Sequence, residues 1–158
     1  MRVTDLIVQD HKQVHDLFLE LERTAGAGAR RELLDQLVEE LSVHAQAEEE
    51  VVYPALRDVS RRIDDAHDAH EHIRALIAEV QDVDASSAEF STSVRDLRQS
   101  VLNHAAEEEG GILLEAGRLG GERLEELAGR MQERKDTLRT LRTERGARGM
   151  KQAERKIA

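Results

Sequence analysis

His44-Ala45-Gln46-Ala47-Glu48-Glu49-Glu50 decides how the rest of this chain is read. His44 and Glu48 stand four residues apart, which on a helix places one above the other on a single face. That face is apolar. Leu34, Leu37, Leu41, His44, Glu48 and Val51 recur at spacings of three and four, the seam of a helix facing a bundle core. A carboxylate in such a seam is costly unless it is paired or binds a metal. The cassette returns as His104-Ala105-Ala106-Glu107-Glu108-Glu109, on a seam of Phe90, Val94, Leu97, Val101, His104 and Glu108. Two helices therefore each carry a histidine and a glutamate, one turn apart, at core positions.

Upstream, Ile7, His11, Val14, Phe18 and Leu21 form the seam of a first helix that starts after Thr4 and closes in the turn Ala25 to Ala29. The second helix runs from near Arg30 through the cassette to Pro54, where a missing N–H should kink or stop it. Ile63, Ala66, His70, Ile73, Ile77 and Val80 are the third seam, with a helix start at Ser60. Ser86-Ser87-Ala88-Glu89 reads as a capping box opening the fourth helix, which ends between Gly117 and Gly121. The step from His11 to His70 nearly equals the step from His44 to His104, so two helix hairpins share one design. Counting about 1.5 Å per residue from each turn brings the four histidines to a common height near mid-bundle. The predicted fold is all-α: an up-down-up-down four-helix bundle over residues 1–120, then a C-terminal helix and basic tail over 121–158.

Composition agrees with helices. Aromatic residues make up only 2% and Leu, Ala, Glu and Arg dominate, which disfavours a sheet. Cysteine is absent, so any metal must be held by nitrogen and oxygen. The start has no basic-then-apolar signal pattern and no stretch approaches a membrane span, so a cytoplasmic protein without membrane partners is expected. The formal charge of −10 argues against nucleic acid as a partner. Residues 130–158 hold ten Lys or Arg against four Asp or Glu, a net of +6 that leaves −16 on everything before them.

In that C-terminal segment, Leu124, Leu127, Met131, Leu138 and Leu141 keep a helical seam that Arg134 interrupts. It is short for a coiled coil and should pack across the bundle, or against a second copy in a homodimer. Arg145 to Ala158 reads as a frayed basic tail. No candidate ligand lies beyond Gly121, so this segment should act on stability or association rather than on the site.

A lone helical histidine is usually a surface or satisfied core residue. Four in core seams, one per helix, with two core glutamates at matching depth, point instead to a metal site of His11, His44, Glu48, His70, His104 and Glu108. Four imidazoles and two carboxylates without sulfur suit iron, manganese or zinc, and two carboxylates able to bridge suggest two ions. His15 and His67 fall beside the seams, where they could add ligands or hydrogen bonds. Glu49, Glu50, Glu107 and Glu109 read as wet-face charges, Glu107 and Glu109 replacing Glu108 only if the helix is distorted. Tyr53 phases outward unless the Pro54 kink turns it in, and His72 points to solvent. Gly111 falls on the seam three residues after Glu108, and Gly110-Gly111 would leave a gap beside the metals for small molecules.

The early histidine, His44-x-x-x-Glu48 running into Glu-Glu-Val-Val-Tyr53-Pro54, His70 and His104-x-x-x-Glu108 together resemble the hemerythrin-like HHE cation-binding family over about residues 3–118. The resemblance implies a four-helix bundle holding two non-haem iron ions with an oxo or hydroxo bridge, manganese or zinc being second choices. It also implies small-molecule partners: dioxygen, peroxide or nitric oxide. Oxygen-carrying members place two histidines four apart in the third helix and follow the fourth-helix histidine by Asp five residues later. Here His67 and His70 are three apart and Glu108 follows His104 by four. A glutamate-richer centre favours ferric iron over reversible oxygen carriage, as in the bacterial branch linked to peroxide handling and stress. Three functions remain open: binding or sensing of small oxidants, catalase-like turnover of peroxide, and a structural bundle held by zinc or manganese.

Overall fold

Four helices, α1 (Val3–Arg23), α2 (Ala27–Ala47), α3 (Ile63–Asp82) and α4 (Ala88–Glu107), form two antiparallel hairpins packed side by side, and α5 (Gly121–Ile157) lies against α1 and α2. The computed structural model describes residues 1–157, and no strand occurs among them. The apolar seams explain the packing. The α3 residues Ile63, Ala66, His70, Ile73, Ile77 and Val80 are all buried, as are Phe90, Val94, Leu97, Val101 and His104 on α4.

Helix ends differ from the sequence expectation by a few residues, for identifiable reasons. Arg2 N–H donates to Asp5 Oδ2 at 3.1 Å and α1 starts at Val3. Gly26, at φ 95°, makes the turn that lets α2 begin at Ala27, upstream of Arg30. Ser60 precedes α3 without belonging to it, its Oγ accepting from Arg62 N–H at 3.2 Å. Ser87 rather than Ser86 caps α4, accepting from Phe90 N–H at 3.3 Å, while the Ser86 hydroxyl donates to Asp84. The capping box read from Ser86 and Glu89 is thus a simple N-cap.

Pro54 does not stop α2. The helix widens into a π-turn at Glu48–Val52, in which Tyr53 N–H reaches back five residues to Glu48 C=O, and continues as Tyr53–Leu56. Proline supplies no N–H to the next rung, so the extra residue is inserted where the ladder is already broken. The second hairpin repeats the device without proline: a π-turn at Glu108–Ile112 contains Gly110 and Gly111, then Leu113–Ala116 and a 3₁₀ turn at Gly117–Leu119 follow. Both π-turns begin at the cassette glutamate.

The core is two apolar clusters. One, around Phe18, Leu37, Ile77, Phe90 and Leu97, fills the end of the bundle near the interhelical turns. The other, around Ile7, Val52, Leu56, Ile63 and Ile112, fills the opposite end and extends to Leu127, Met131 and Leu138 of α5. Buried His44, Glu48, His70, His104 and Glu108 belong to neither cluster and form a polar layer between them. Leu141, expected on the seam, is exposed, and the segment from Arg145 departs from the frayed tail expected of it: it is helical to Ile157 with every residue exposed. The residue between Met131 and Leu138 that faces the bundle is Lys135, while Arg134 turns outward to Glu50.

Candidate metal centre

Six side chains from α1 to α4 and the π-turns converge in the polar layer. His11 Nε2 lies 3.2 Å from Glu108 Oε2, and His44 Nε2 lies 3.2 Å from Glu48 Oε2. On the other side, His70 Nε2 is 3.4 Å from Glu48 Oε2 and His104 Nε2 is 3.5 Å from Glu108 Oε2. His11 and His44 meet edge to face with centroids 5.1 Å apart, and His70 and His104 do so at 4.6 Å. Two four-residue groups result, His11-His44-Glu48-Glu108 and Glu48-His70-His104-Glu108, each with ligand atoms within 4.8 Å of one another. The glutamates belong to both.

His70 Nε2 and His104 Nε2 contact each other at 2.9 Å, but the other atoms converge without satisfying one another. His11 Nε2, His44 Nε2, Glu48 Oε1 and Glu108 Oε2 are buried and have no hydrogen-bond partner. The short N···O contacts at His11 and His44 lack hydrogen-bond geometry, and their atoms face a common space rather than each other. Buried polar groups left unpaired cost about 1–3 kcal/mol each, and a cation is what so many inward-facing donor atoms fit. An N/O donor set of this kind suits iron, manganese or zinc.

The model of the hemerythrin HHE cation binding domain matches residues 2–116. The chain belongs to this family. It is 32% identical over 114 residues to a protein of Nostoc named DNA nickase, a match that covers 71% of this chain and 32% of the relative. An uncharacterized hemerythrin-like protein of Schizosaccharomyces pombe is 26% identical over 114 residues, covering 68% of this chain and 56% of the relative. The chain thus spans about a third and about half the length of these curated relatives. The crystal structure of a hemerythrin HHE cation-binding domain-containing protein from Mycobacterium kansasii shares the fold, with a TM-score of 0.82, 22% identity, and coverage of 89% of this chain and 88% of that one.

Around this hemerythrin-like centre, three of the four ring nitrogens that face away from it are held as well. His70 Nδ1 donates to Glu49 Oε1 at 2.8 Å, and Arg74 holds the same carboxylate at 2.8 Å to each oxygen. His11 Nδ1 donates to Glu109 Oε1 at 2.8 Å. Glu49 and Glu109, read from the sequence as solvated charges, therefore each brace a histidine of the other hairpin. His44 Nδ1 donates to Asp10 Oδ2 at 3.0 Å, and Lys135 of α5 clasps Asp10 at 2.5 and 2.6 Å. α5 supplies no member of the cluster, yet it reaches the site through this pair, contrary to the expectation that it acts elsewhere.

Tyr53 is the largest departure from the sequence reading. In an α-helix, a residue five beyond Glu48 lies roughly 140° round the axis and faces solvent. The π-turn cancels that rotation, so Tyr53 is 1% exposed and stands over Glu48. Its hydroxyl donates to Glu108 Oε1 at 2.6 Å and lies 3.2 Å from His70 Nε2. Burial and the two glutamates push the phenol's pKa up, so it stays protonated. Distortion of the fourth helix begins at Glu108 and leaves Glu108 in phase with His104; Glu107 stays exposed outside the cluster. His67 meets Tyr53 edge to face 5.2 Å away, and His15 lines a cavity next to the site, both outside the two groups.

Charge follows the same geometry. For His44, burial pulls the pKa down, but Glu48 and Asp10 outweigh it and push it up to about 10. For Glu48, burial acts upward, yet His44 and His70 hold it well below the usual carboxylate range. His104 goes the other way: burial lowers it, and Glu108 only partly offsets the loss. The gap expected at Gly110-Gly111 is not there at Gly111, where an added Cβ would lie 3.0 Å from Arg62 Cδ and Nε; Gly110 is exposed with open space beside it. A cavity of about 40 Å³ does adjoin the histidines, walled by Val14, Phe18, Leu41, Ile73, Ile77 and Val101.

Proposed function

We propose that this chain is a non-haem di-iron protein that binds, senses or reacts with small oxidants such as dioxygen, peroxide or nitric oxide, in the cytoplasm and in stress response or iron and oxygen homeostasis. The observation that carries the reading is the sharing of Glu48 and Glu108 by two four-residue groups. His11 and His44 would terminate one ion, His70 and His104 the other, and both glutamates would bridge. Paired iron would supply the one-electron redox chemistry.

The remaining residues suit small, weakly polar guests. The cavity beside the histidines has room for a molecule of two or three atoms and apolar walls that exclude bulk water. Tyr53 keeps its proton between Glu48 and Glu108 and can donate it as a hydrogen bond to a group entering there. No helix among the described residues is long and apolar enough to cross a membrane. The activity named for the Nostoc relative is not carried over, because the shared stretch is 32% of that protein. Catalase-like turnover of peroxide on the same centre is the second reading, favoured by a donor set richer in glutamate. Association into a homodimer would use the exposed end of α5.

Metal content and the visible spectrum of protein purified in air test the proposal. Two irons per chain with oxo-to-iron bands in the near-ultraviolet support it. A colourless zinc protein overturns it in favour of a structural bundle.

A further inference from the structure

Lysine is among the residues least often fully buried, and Lys135 is 3% exposed. Its neighbours on the inner face of α5 are Leu127, Met131 and Leu138, so another apolar residue would complete that face. Apolar packing of the same volume often stabilises a fold as much as a buried ion pair does, or more. Lys135 and Asp10 are therefore poorly explained by stability. What they do have is position: Asp10, 8% exposed, gives one oxygen to His44 Nδ1 and both to Lys135.

The repeat between hairpins makes the contrast sharp. Glu49 and Glu109 occupy equivalent positions just after the two cassette glutamates, and they brace His70 and His11 in matching fashion. Asp10 has no counterpart: the register that pairs His11 with His70 pairs Asp10 with Ala69. Among the described residues, Glu108 is the one carboxylate within 4.0 Å of His104, the partner of His44 in the repeat. One side of the cluster thus has a histidine locked by a buried ion pair, and the other has a histidine whose Nε2 meets His70 but whose Nδ1 has no carboxylate to brace it.

We propose that Lys135 is a positioning residue which, through Asp10, locks His44 and makes the His11-His44 metal position the more firmly held of the two. The charge of Lys135 allows an ionised Asp10 to stay buried against His44 Nδ1. The imidazole is then fixed with its Nε2 lone pair toward the ion. Such outer partners raise ligand basicity and change metal affinity by about 10–100-fold. The His70-His104 position is the exchangeable one. The inference rests on the two-ion reading above.

The test uses the full chain loaded with ferrous iron under argon, its iron content measured before release to a colorimetric chelator. Wild type should release two irons in two phases of equal amplitude. In Lys135→Met the slow phase should accelerate by about 10–100-fold while the fast phase is unchanged. Because that variant leaves Asp10 unpaired, the Asp10→Leu/Lys135→Met double variant, which buries no lone charge, should show the same selective change. A slow phase that keeps its rate in the double variant overturns the proposal, and so does equal acceleration of both phases, which would mean general loosening. Two irons leaving wild type in a single phase also overturn it while sparing the di-iron reading. Fewer than two irons in wild type would sink that reading itself, and this inference with it.

Discussion

Glu49 accepts a hydrogen bond from His70 Nδ1 at 2.8 Å, across the boundary between the two hairpins. The contact does for His70 what Glu109 does for His11, so each hairpin orients a histidine of the other. The carboxylates differ in exposure, 19% for Glu49 and 42% for Glu109, and Arg74 fixes only the first. Glu49→Ala should therefore weaken metal binding by about 10–100-fold, with Glu109→Ala at the low end of that range. Competition against a chelator of known affinity reads both; a larger loss in Glu109→Ala would reverse the ranking.

Shared ligands predict a shared loss. Glu48→Ala and Glu108→Ala should each empty both positions, since each carboxylate belongs to both groups. His72→Ala, at an exposed position of α3, should keep the full metal content. Metal analysis after gel filtration decides it: one ion retained in either glutamate variant would show that the carboxylate serves one side only.

Tyr53→Phe separates the hydroxyl from the ring. The ring packs in the apolar cluster around Ile7, Leu56 and Ile63 and stacks on His70 with centroids 5.4 Å apart, so the variant should fold and load normally. Loss of the hydrogen bond to the Glu108 carboxylate should destabilise the metal-free protein by about 1.5–3 kcal/mol. The absorption bands of the loaded protein should shift as well. Urea unfolding of metal-free samples gives the first number, and an unchanged midpoint would mean that the hydroxyl is replaced by water.

Much of this was legible in the sequence. Spacings of three and four placed His11, His44, His70, His104, Glu48 and Glu108 in seams, and the fold brings those six together. What escaped lay either beyond a broken helical period or outside the apolar pattern. Tyr53 lies beyond a π-turn, and a reading at about 3.6 residues per turn sends it to solvent. Asp10 is next to His11 rather than on the apolar stripe, and Lys135 sits where a seam search looks for leucine. Partners of a histidine's second nitrogen lie to the side of the ligand face, among residues that a hydrophobic pattern assigns to water.

Protons and metal compete for His44. In the metal-free protein its pKa, up to about 10, lies above the ordinary 6.5, because Glu48 and Asp10 overcome burial. A raised folded pKa stabilises the fold fully below 6.5 and loses that contribution as pH rises through about 10. Glu48, held below 4.5, contributes above 4.5 and is lost as pH falls through its lower folded value. Metal-free stability should thus be greatest between about pH 4.5 and 6.5 so far as these two groups decide it. At neutral pH metal uptake must expel the His44 proton, so affinity should fall as pH drops. Calorimetry in buffers of different ionisation enthalpy should register proton release; uptake without release would mean that His44 is neutral before metal arrives.

Access is the last prediction. Arg62 lies across Gly111, its Nε 3.6 Å from Glu115 Oε1, and its side chain also borders a polar cleft that reaches His104 and Glu108 between Asp65 and Glu107. A Cβ at Gly111 would meet only the flexible part of Arg62, so Gly111→Ala should displace that side chain without strain. Replacing a helical glycine also adds up to about 1 kcal/mol of helix propensity, and the variant should be at least as stable as wild type. Arg62→Ala should instead open the cleft above Glu108. With metal content unchanged, azide or peroxide should then alter the visible spectrum several-fold faster in Arg62→Ala than in wild type. Gly111→Leu, which fills the same space permanently, should slow the change. Stopped-flow absorbance with metal analysis on the same samples reads all three. Equal rates in Arg62→Ala and wild type would move the route to the apolar cavity near His15, where Val101→Phe would be the blocking substitution to try.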